Sequence, residues 1–401
     1  MNRLIERFIR YVKIDTQSDP KSHTCPSTDK QKNLSRLLVE ELRAMGYDAF
    51  MDDHGYTYTM IPKTKEGIAP IGFVSHVDTS PDAPGGPVNP RIIEKYDGSL
   101  IKLSDAYEME PSKFPSLKRV IGDDLIVTDG KTLLGADDKS GVALMMELAE
   151  RLKEDSTILH GDIYLCFTPD EEIGRGADLF NYDYFKADYA YTMDGSAVGG
   201  IEYENFNAAT AVLNFTGKSI HPGTAKNKLI NASHLMMEFH QLLPPFLDPS
   251  NTDGYEGFNH LTEMQGSVEK AHAQYIIRNH DMTLFESQKK TFKSIQAYLN
   301  QKYTYQAVDL EITDSYFNMA EKIKPRMDII DKALVAIKAC GITPFSTPIR
   351  GGTDGARLTY EGLLCPNLGT GGFQFHGRFE FASIQQMEKA LEIMIEIIKT
   401  V

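Results

Sequence analysis

At 401 residues the chain exceeds the length at which one hydrophobic core usually stops growing, so two domains are expected. Hydrophobic residues make up 41% and charged residues 24%, ordinary values for a soluble globular protein. A formal net charge of -14 excludes a broad phosphate-binding surface, and with it nucleic acid as a partner.

The opening segment MNRLIERFIRYVKIDT sets Leu4, Ile5, Phe8, Ile9 and Val12 at helical spacing among charges, which predicts an amphipathic surface helix and not a signal peptide. Residues 21–30 read as polar loop. An apolar run at 70–77 predicts a buried strand that ends by placing His76 and Asp78 two positions apart, on one face. The pair is either a satisfied structural contact or half of a reactive site. LLGADDKSG then leads into a helix over 138–153 with Val142, Leu144, Met145 and Leu148 on its apolar face. Asp137 and Asp138 stand at its start, where a carboxylate can cap free backbone N–H groups. The strand at 161–168 is followed by PDEE, with Asp170, Glu171 and Glu172, which a solvated acidic turn would also explain. The strand at 187–193 runs into Asp194, open to reading as an Asx turn. Short apolar strands alternating with helices make this part an α/β domain.

From Asn207 the order is strand (207–217), helix (227–243), two strands around 265–281, helix (284–300) and strand (303–314). That β-α-β-β-α-β order is a ferredoxin-like unit complete in itself, inserted into the first domain. The α/β character then returns with a helix introduced by Pro325, a glycine-rich segment at 350–377 and a final helix from Ser383. The expected division is 1–206 with 318–401 for the α/β domain and 207–317 for the insert. No apolar run approaches the roughly 18 residues needed to cross a bilayer. Cys25, Cys166, Cys340 and Cys365 are scattered without C-x-x-C spacing, so free thiols in a reducing cytoplasm are expected.

Ligands of open α/β sheets bind beyond the carboxyl ends of the strands, where His76, Asp78, Asp170, Glu171, Glu172 and Asp194 all fall. His376, in FQFHGRF, is open to reading as a core histidine. Carboxylates gathered in a cleft repel one another unless they take up protons or a cation. Histidine and carboxylate ligands without thiolates suit a catalytic zinc site, with cobalt or manganese as substitutes. Two ions fit the ligand count better than one, and a hydroxide bridging them would be a nucleophile at neutral pH.

SHVDTSPD, TDGKTLLGADDKSG, FTPDEEIG, YTMDG, ENFNAA, HPGTAK, IRGGTDG and the FHGRFEF segment occur in this order over nearly the whole chain. Together they resemble the two-zinc exopeptidases and deacylases, a group that includes the glutamate carboxypeptidases and succinyl-diaminopimelate desuccinylase. Within that group GADDK, ENFNAA, HPGTAK and IRGGTDG are similar to the peptidase T branch of tripeptide aminopeptidases. The resemblance implies a zinc-exopeptidase-like catalytic domain with an inserted ferredoxin-like lid. It makes His76 and Asp194 ligands of one zinc, Glu172 and His376 ligands of the other, and Asp137 the bridge, followed by a cis peptide bond. Asp78 would orient His76, and Glu171 would be the general base. His221 would polarise the scissile carbonyl, often across a dimer interface, and Arg278 would grip the substrate's terminal carboxylate. Asn207, Asn231 and Arg350 are further candidates for substrate contact. The implied activity is release of the N-terminal residue from tripeptides with a free amino end, by a cytoplasmic enzyme that dimerises through its lid. Dipeptidase, carboxypeptidase or deacylase activity on the same chemistry is the alternative.

Overall fold

The computed structural model describes residues 2–399. The chain divides into two compact units. One takes in residues 2–203, Glu321–Thr347 and residues 353–399; the other takes in Glu204–Ala320 and Pro348–Gly352. Pro348–Gly352, assigned to the α/β domain by the sequence pattern, joins the second unit through backbone pairing. Ile349 bridges to Asn205, and its N–H donates to the Glu204 carbonyl at 2.8 Å.

The first unit is built on a seven-stranded mixed sheet in the order Ala49–Met51, Thr57–Ile61, Ile163–Thr168, Ile71–His76, Tyr189–Gly195, Asn367–Gly369, Ile201–Glu202. The three strands expected at 70–77, 161–168 and 187–193 form its parallel centre. Every residue of Ile71–His76 is buried, which is why it reads as an unbroken apolar run. His76 pairs with Thr168 at the ends of adjacent strands. Asp78 and the turn carrying Glu171 and Glu172 therefore leave the sheet at the same edge, beside Asp194 near the end of Tyr189–Gly195.

The Ala136–Glu154 helix packs against the central strands, but Asp137 and Asp138 lie outside helical φ/ψ and are joined by a cis peptide bond. Asp138 takes the capping role, accepting the Gly141 N–H at 3.1 Å. Gly141 is required there: a Cβ would collide with the Met193 carbonyl and the Ser75 hydroxyl, so only glycine lets the helix sit this close to the sheet. A second sheet, Gly372–Phe373, Phe381–Ser383, Leu125–Val127, Arg91–Ile93, holds the 374–380 loop beside the segment leading to Asp137.

The second unit is a four-stranded antiparallel sheet in the order Phe258–Gly266, Lys270–Asn279, Asn207–Thr216, Val308–Tyr316, the ferredoxin-like arrangement. Alternate residues Ala209, Ala211, Leu213 and Phe215 pack with Phe239, Tyr275, Phe285 and Phe292 from the opposite strand and the two helices. The helices run Ala232–Leu242 and Met282–Tyr303, and their starts differ from the expected ones because Asn231 and Asp281 are the caps. The hairpin lies at 258–279, earlier than its apolar pattern indicates, because its first strand is mostly exposed and has little periodicity to read.

Candidate metal centre

Two strand ends, an acidic turn, a loop and one helix start converge at the carboxyl edge of the large sheet. His76 Nε2 lies 2.9 Å from Asp137 Oδ1 and 3.5 Å from Asp194 Oδ1. His376 Nε2 lies 3.3 Å from Asp137 Oδ2 and 2.9 Å from Glu172 Oε2. Two triads thus share Asp137, one oxygen turned to each, and within each triad the donor atoms lie within 4.8 Å of one another. Glu171 Oε2 is 4.0 Å from His76 Nε2 and belongs to neither triad.

The surroundings aim these groups. His76 Nδ1 faces Asp78 twice, at 3.1 Å from its carbonyl and 3.3 Å from its carboxylate, leaving Nε2 for the cluster. The same buried carboxylate accepts the backbone N–H of Glu171 at 3.0 Å and of Glu172 at 3.2 Å, so it also fixes the acidic turn. Asp138 Oδ2 accepts the His76 N–H at 3.2 Å and the Ser75 hydroxyl.

Two supports carried no expectation from sequence. Glu380, fully buried, accepts three backbone N–H groups at 2.7 to 2.9 Å, from Leu134, Gly135 and Asp137, and so holds the loop that presents the shared carboxylate. Asp82 lies 3.4 Å from His376 Nδ1, a more exposed contact on the outward side of that ring. Both residues sit inside quoted motifs, SHVDTSPD and FHGRFEF, a few positions from a histidine ligand candidate; that proximity was the available signal.

The electrostatics are those of several carboxylates buried close together. Burial, with the Asp137 charge adding to it, pushes Glu172 up to about 8 and Asp194 up to about 6. Burial, and then Asp194, raise Glu171 well above the usual range. Hydrogen bonds to Asp137 and Glu172 push His376 up to about 11. Burial works against ionisation of Asp137, but the bonds to His376 and His76 outweigh it and hold the carboxyl below its ordinary value. Glu172 Oε1 is buried with no hydrogen-bond partner among the described residues, an orphaned acceptor on a residue whose other oxygen faces His376. Two imidazoles, three carboxylates, no thiolate and an unpaired oxygen fit a pair of divalent cations, zinc foremost.

The remaining candidates lie in the second unit. His221 is exposed, and its Nδ1 accepts the Gly223 N–H at 3.1 Å, which leaves Nε2 as the protonated, donating nitrogen. Arg278 donates from Nη1 to the Ala209 and Ile277 carbonyls at 3.1 and 2.9 Å, and its guanidinium lies over the Tyr316 ring. The three others have duties inside the fold. Asn207 is buried, donates to the Asn279 and His280 carbonyls and accepts from the Asn318 N–H, so both its amide donors are committed inside the second unit. Asn231 caps the Ala232–Leu242 helix through the Ser233 N–H at 2.9 Å. Arg350 donates to Gly254, Glu256 and Thr252 and lies over the rings of Phe206 and Phe258, which commits its guanidinium to one loop.

Residues 128–400 match the model of peptidase family M20/M25/M40. A peptidase T from Geobacillus kaustophilus (strain HTA426) is 50% identical over 400 residues, 99% of this chain and 97% of its own. A peptidase T from Clostridium perfringens (strain ATCC 13124) is 49% identical over 401 residues, 100% of this chain and 99% of its own. Among solved structures, aminopeptidase PepT from Bacillus cereus ATCC 10987 superposes with a TM-score of 0.79 at 24% identity, covering 99% of this chain and 97% of that one. A dinuclear metal-binding M20 peptidase from Bacillus subtilis does so with a TM-score of 0.67 at 12% identity, covering 99% and 97%, and shares the fold. Matched by the family model from ahead of the shared aspartate to the final helix, and by relatives of equal length at half of all positions, the chain belongs to peptidase family M20/M25/M40.

Proposed function

We propose that this chain is a two-metal aminopeptidase that releases the N-terminal residue from tripeptides. The observation that carries the reading is the pair of triads sharing Asp137, with the unshared carboxylate of Glu171 beside them. The peptidase T relatives support the choice of substrate. His76 and Asp194 would hold one ion, His376 and Glu172 the other, and Asp137 both. When bound there, divalent ions would supply Lewis acidity, which lowers the pKa of water and polarises a carbonyl oxygen.

Glu171 takes a proton from the attacking water and returns it to the leaving amine. Asp78 keeps Glu171 and His76 in mutual register. His221, with its proton on Nε2, is suited to donate to the carbonyl oxygen as negative charge develops. Arg278 has Nε and Nη2 to offer a terminal carboxylate, a two-point grip that matches its geometry.

The reading extends to a homodimer formed through the second unit and to residence in the cytoplasm. All four cysteines are free thiols, and among the described residues no helix is long and apolar enough to cross a membrane. Di-, tri- and tetrapeptides with free or blocked amino ends, assayed with and without chelator, test the function. Tripeptides with a free amine should be cleaved fastest and chelator should abolish cleavage; equal rates on blocked peptides would shift the reading to a deacylase. Sedimentation analysis tests the dimer.

A further inference from the structure

None of the ligand candidates of the metal centre lies in residues 14–31, and the sequence presents 21–30 as plain polar loop. In the fold this segment runs behind the centre and grips the loops that carry its side chains. The Ile14 carbonyl accepts Lys139 Nζ at 2.6 Å, two residues past Asp137. Gln17 Nε2 donates to the Ser80 and Ala83 carbonyls at 2.9 and 2.7 Å, and the Ser18 N–H donates to the Thr79 carbonyl at 3.2 Å, in the loop that follows His76 and Asp78.

The third grip is on Asp170, the residue before Glu171. Its carboxylate accepts the Ser27 N–H at 2.6 Å, Gln31 Nε2 at 2.7 Å and the Ser27 hydroxyl. Gln31 Oε1 in turn accepts the Asp170 backbone N–H at 3.1 Å, so one side chain holds this residue by two bonds. Asp170 and Gln31 are essentially inaccessible, at 0% and 1% exposure. Asp170 has φ of 60°, in the left-handed region that non-glycine residues rarely occupy without support.

We propose that Ser27 and Gln31 are positioning residues for Glu171, acting through Asp170. This rests on the reading of Glu171 as the general base. Asp170 is a buried carboxylate whose side-chain partners among the described residues are the neutral groups of Ser27 and Gln31; a packed apolar residue would fill its place at less cost in desolvation. What directional hydrogen bonds provide and apolar packing does not is a fixed backbone orientation at the left-handed residue, hence a fixed departure angle for Glu171. The Asp78 bond to the Glu171 N–H sets the turn from the other side. Displacing a catalytic group by about 1 Å can cost about a hundredfold in rate.

The test is Gln31→Met, which keeps side-chain length and removes both bonds to Asp170, alone and combined with Glu171→Gln, in metal-loaded enzyme. Expected for Gln31→Met alone is a fall in kcat of about tenfold or more, KM for a tripeptide within about twofold, and parental metal content by elemental analysis. In the Glu171→Gln background the same change should cost nothing further. Parental kcat in Gln31→Met overturns the proposal, as does a loss that repeats in full in the Glu171→Gln background or one that tracks lost metal. Parental turnover in Glu171→Gln alone would instead overturn the general-base reading. Should Gln31→Met fail to fold, Ser27→Ala removes only the hydroxyl bonds; a several-fold loss of kcat at unchanged KM is expected, and an unchanged kcat overturns the proposal.

Discussion

Asp78 and Glu171 stand 93 positions apart in the chain, yet the Glu171 backbone N–H donates to Asp78 Oδ1 at 3.0 Å. Through that carboxylate the strand carrying one histidine and the turn carrying two glutamates are held as one piece. Asp78→Ala should lower turnover by about a hundredfold or more, because it frees the turn that presents the general base. Metal affinity should fall by only about tenfold, the low end for an outer-shell partner, since the Asp78 carbonyl still faces His76 Nδ1. Kinetics and calorimetric metal titration of one preparation measure both; equal losses in the two would contradict the division of labour.

Glu171→Gln removes the base while keeping shape and hydrogen-bonding capacity. Two equivalents of metal and the parental melting temperature should remain, with kcat down by about 10²- to 10⁴-fold. Elemental analysis alongside steady-state kinetics decides it.

Glu380→Gln places an amide N–H₂ where a carboxylate accepts from the Asp137 segment. One of three backbone donors then loses its acceptor, and the shared carboxylate loses its fixed position. Both metal affinities should weaken by about tenfold or more, because Asp137 serves both triads. Loss confined to one site in a two-site titration would contradict this.

Asn231→Ala tests whether that residue caps a helix or contacts substrate. As a cap, its loss should cost about 1 kcal/mol of stability and leave kcat/KM within about twofold. Urea unfolding and tripeptide kinetics give the two numbers.

The pH dependence of metal-free stability has a definite sign. Burial first of all pushes the Glu202 and Asp354 carboxyls up to about 7, from ordinary values of 4.5 and 3.8. The folded chain therefore retains protons that the unfolded chain has already released. The resulting stability is full below about pH 4 and is lost as pH rises through 7. In chelator, urea unfolding at pH 5 and pH 8 should show lower stability at the higher pH, and Glu202→Gln should reduce the difference.

Much of the fold was legible because its signals are local. Buried parallel strands announce themselves as apolar runs, and the parallel centre of the sheet lies within about two residues of where those runs place it. The four-strand, two-helix order of the second unit follows from alternation and helical spacing in the same way, less well at the exposed Phe258–Gly266 strand, where burial imposes little pattern.

For the site, the sequence by itself determined which residue types stand at the strand ends, since the chain must deliver His76, the acidic turn and Asp194 wherever its apolar runs stop. Tertiary structure decided what each group does there. Asp137 and Asp138 are alike in sequence, yet one faces two histidines and the other caps a helix, because the backbone turns between them. Asn207 and Arg350 read in sequence as open to substrate, and folding gives them side-chain bonds to the 279–280 and 318 backbone and to the 252–256 loop. Glu380, Ser27 and Gln31 looked like ordinary polar residues until folding brought them against distant loops. Local patterning encodes burial, which any window of sequence displays; hydrogen-bond partnership across more than a hundred residues exists only once the sheet has set the distances.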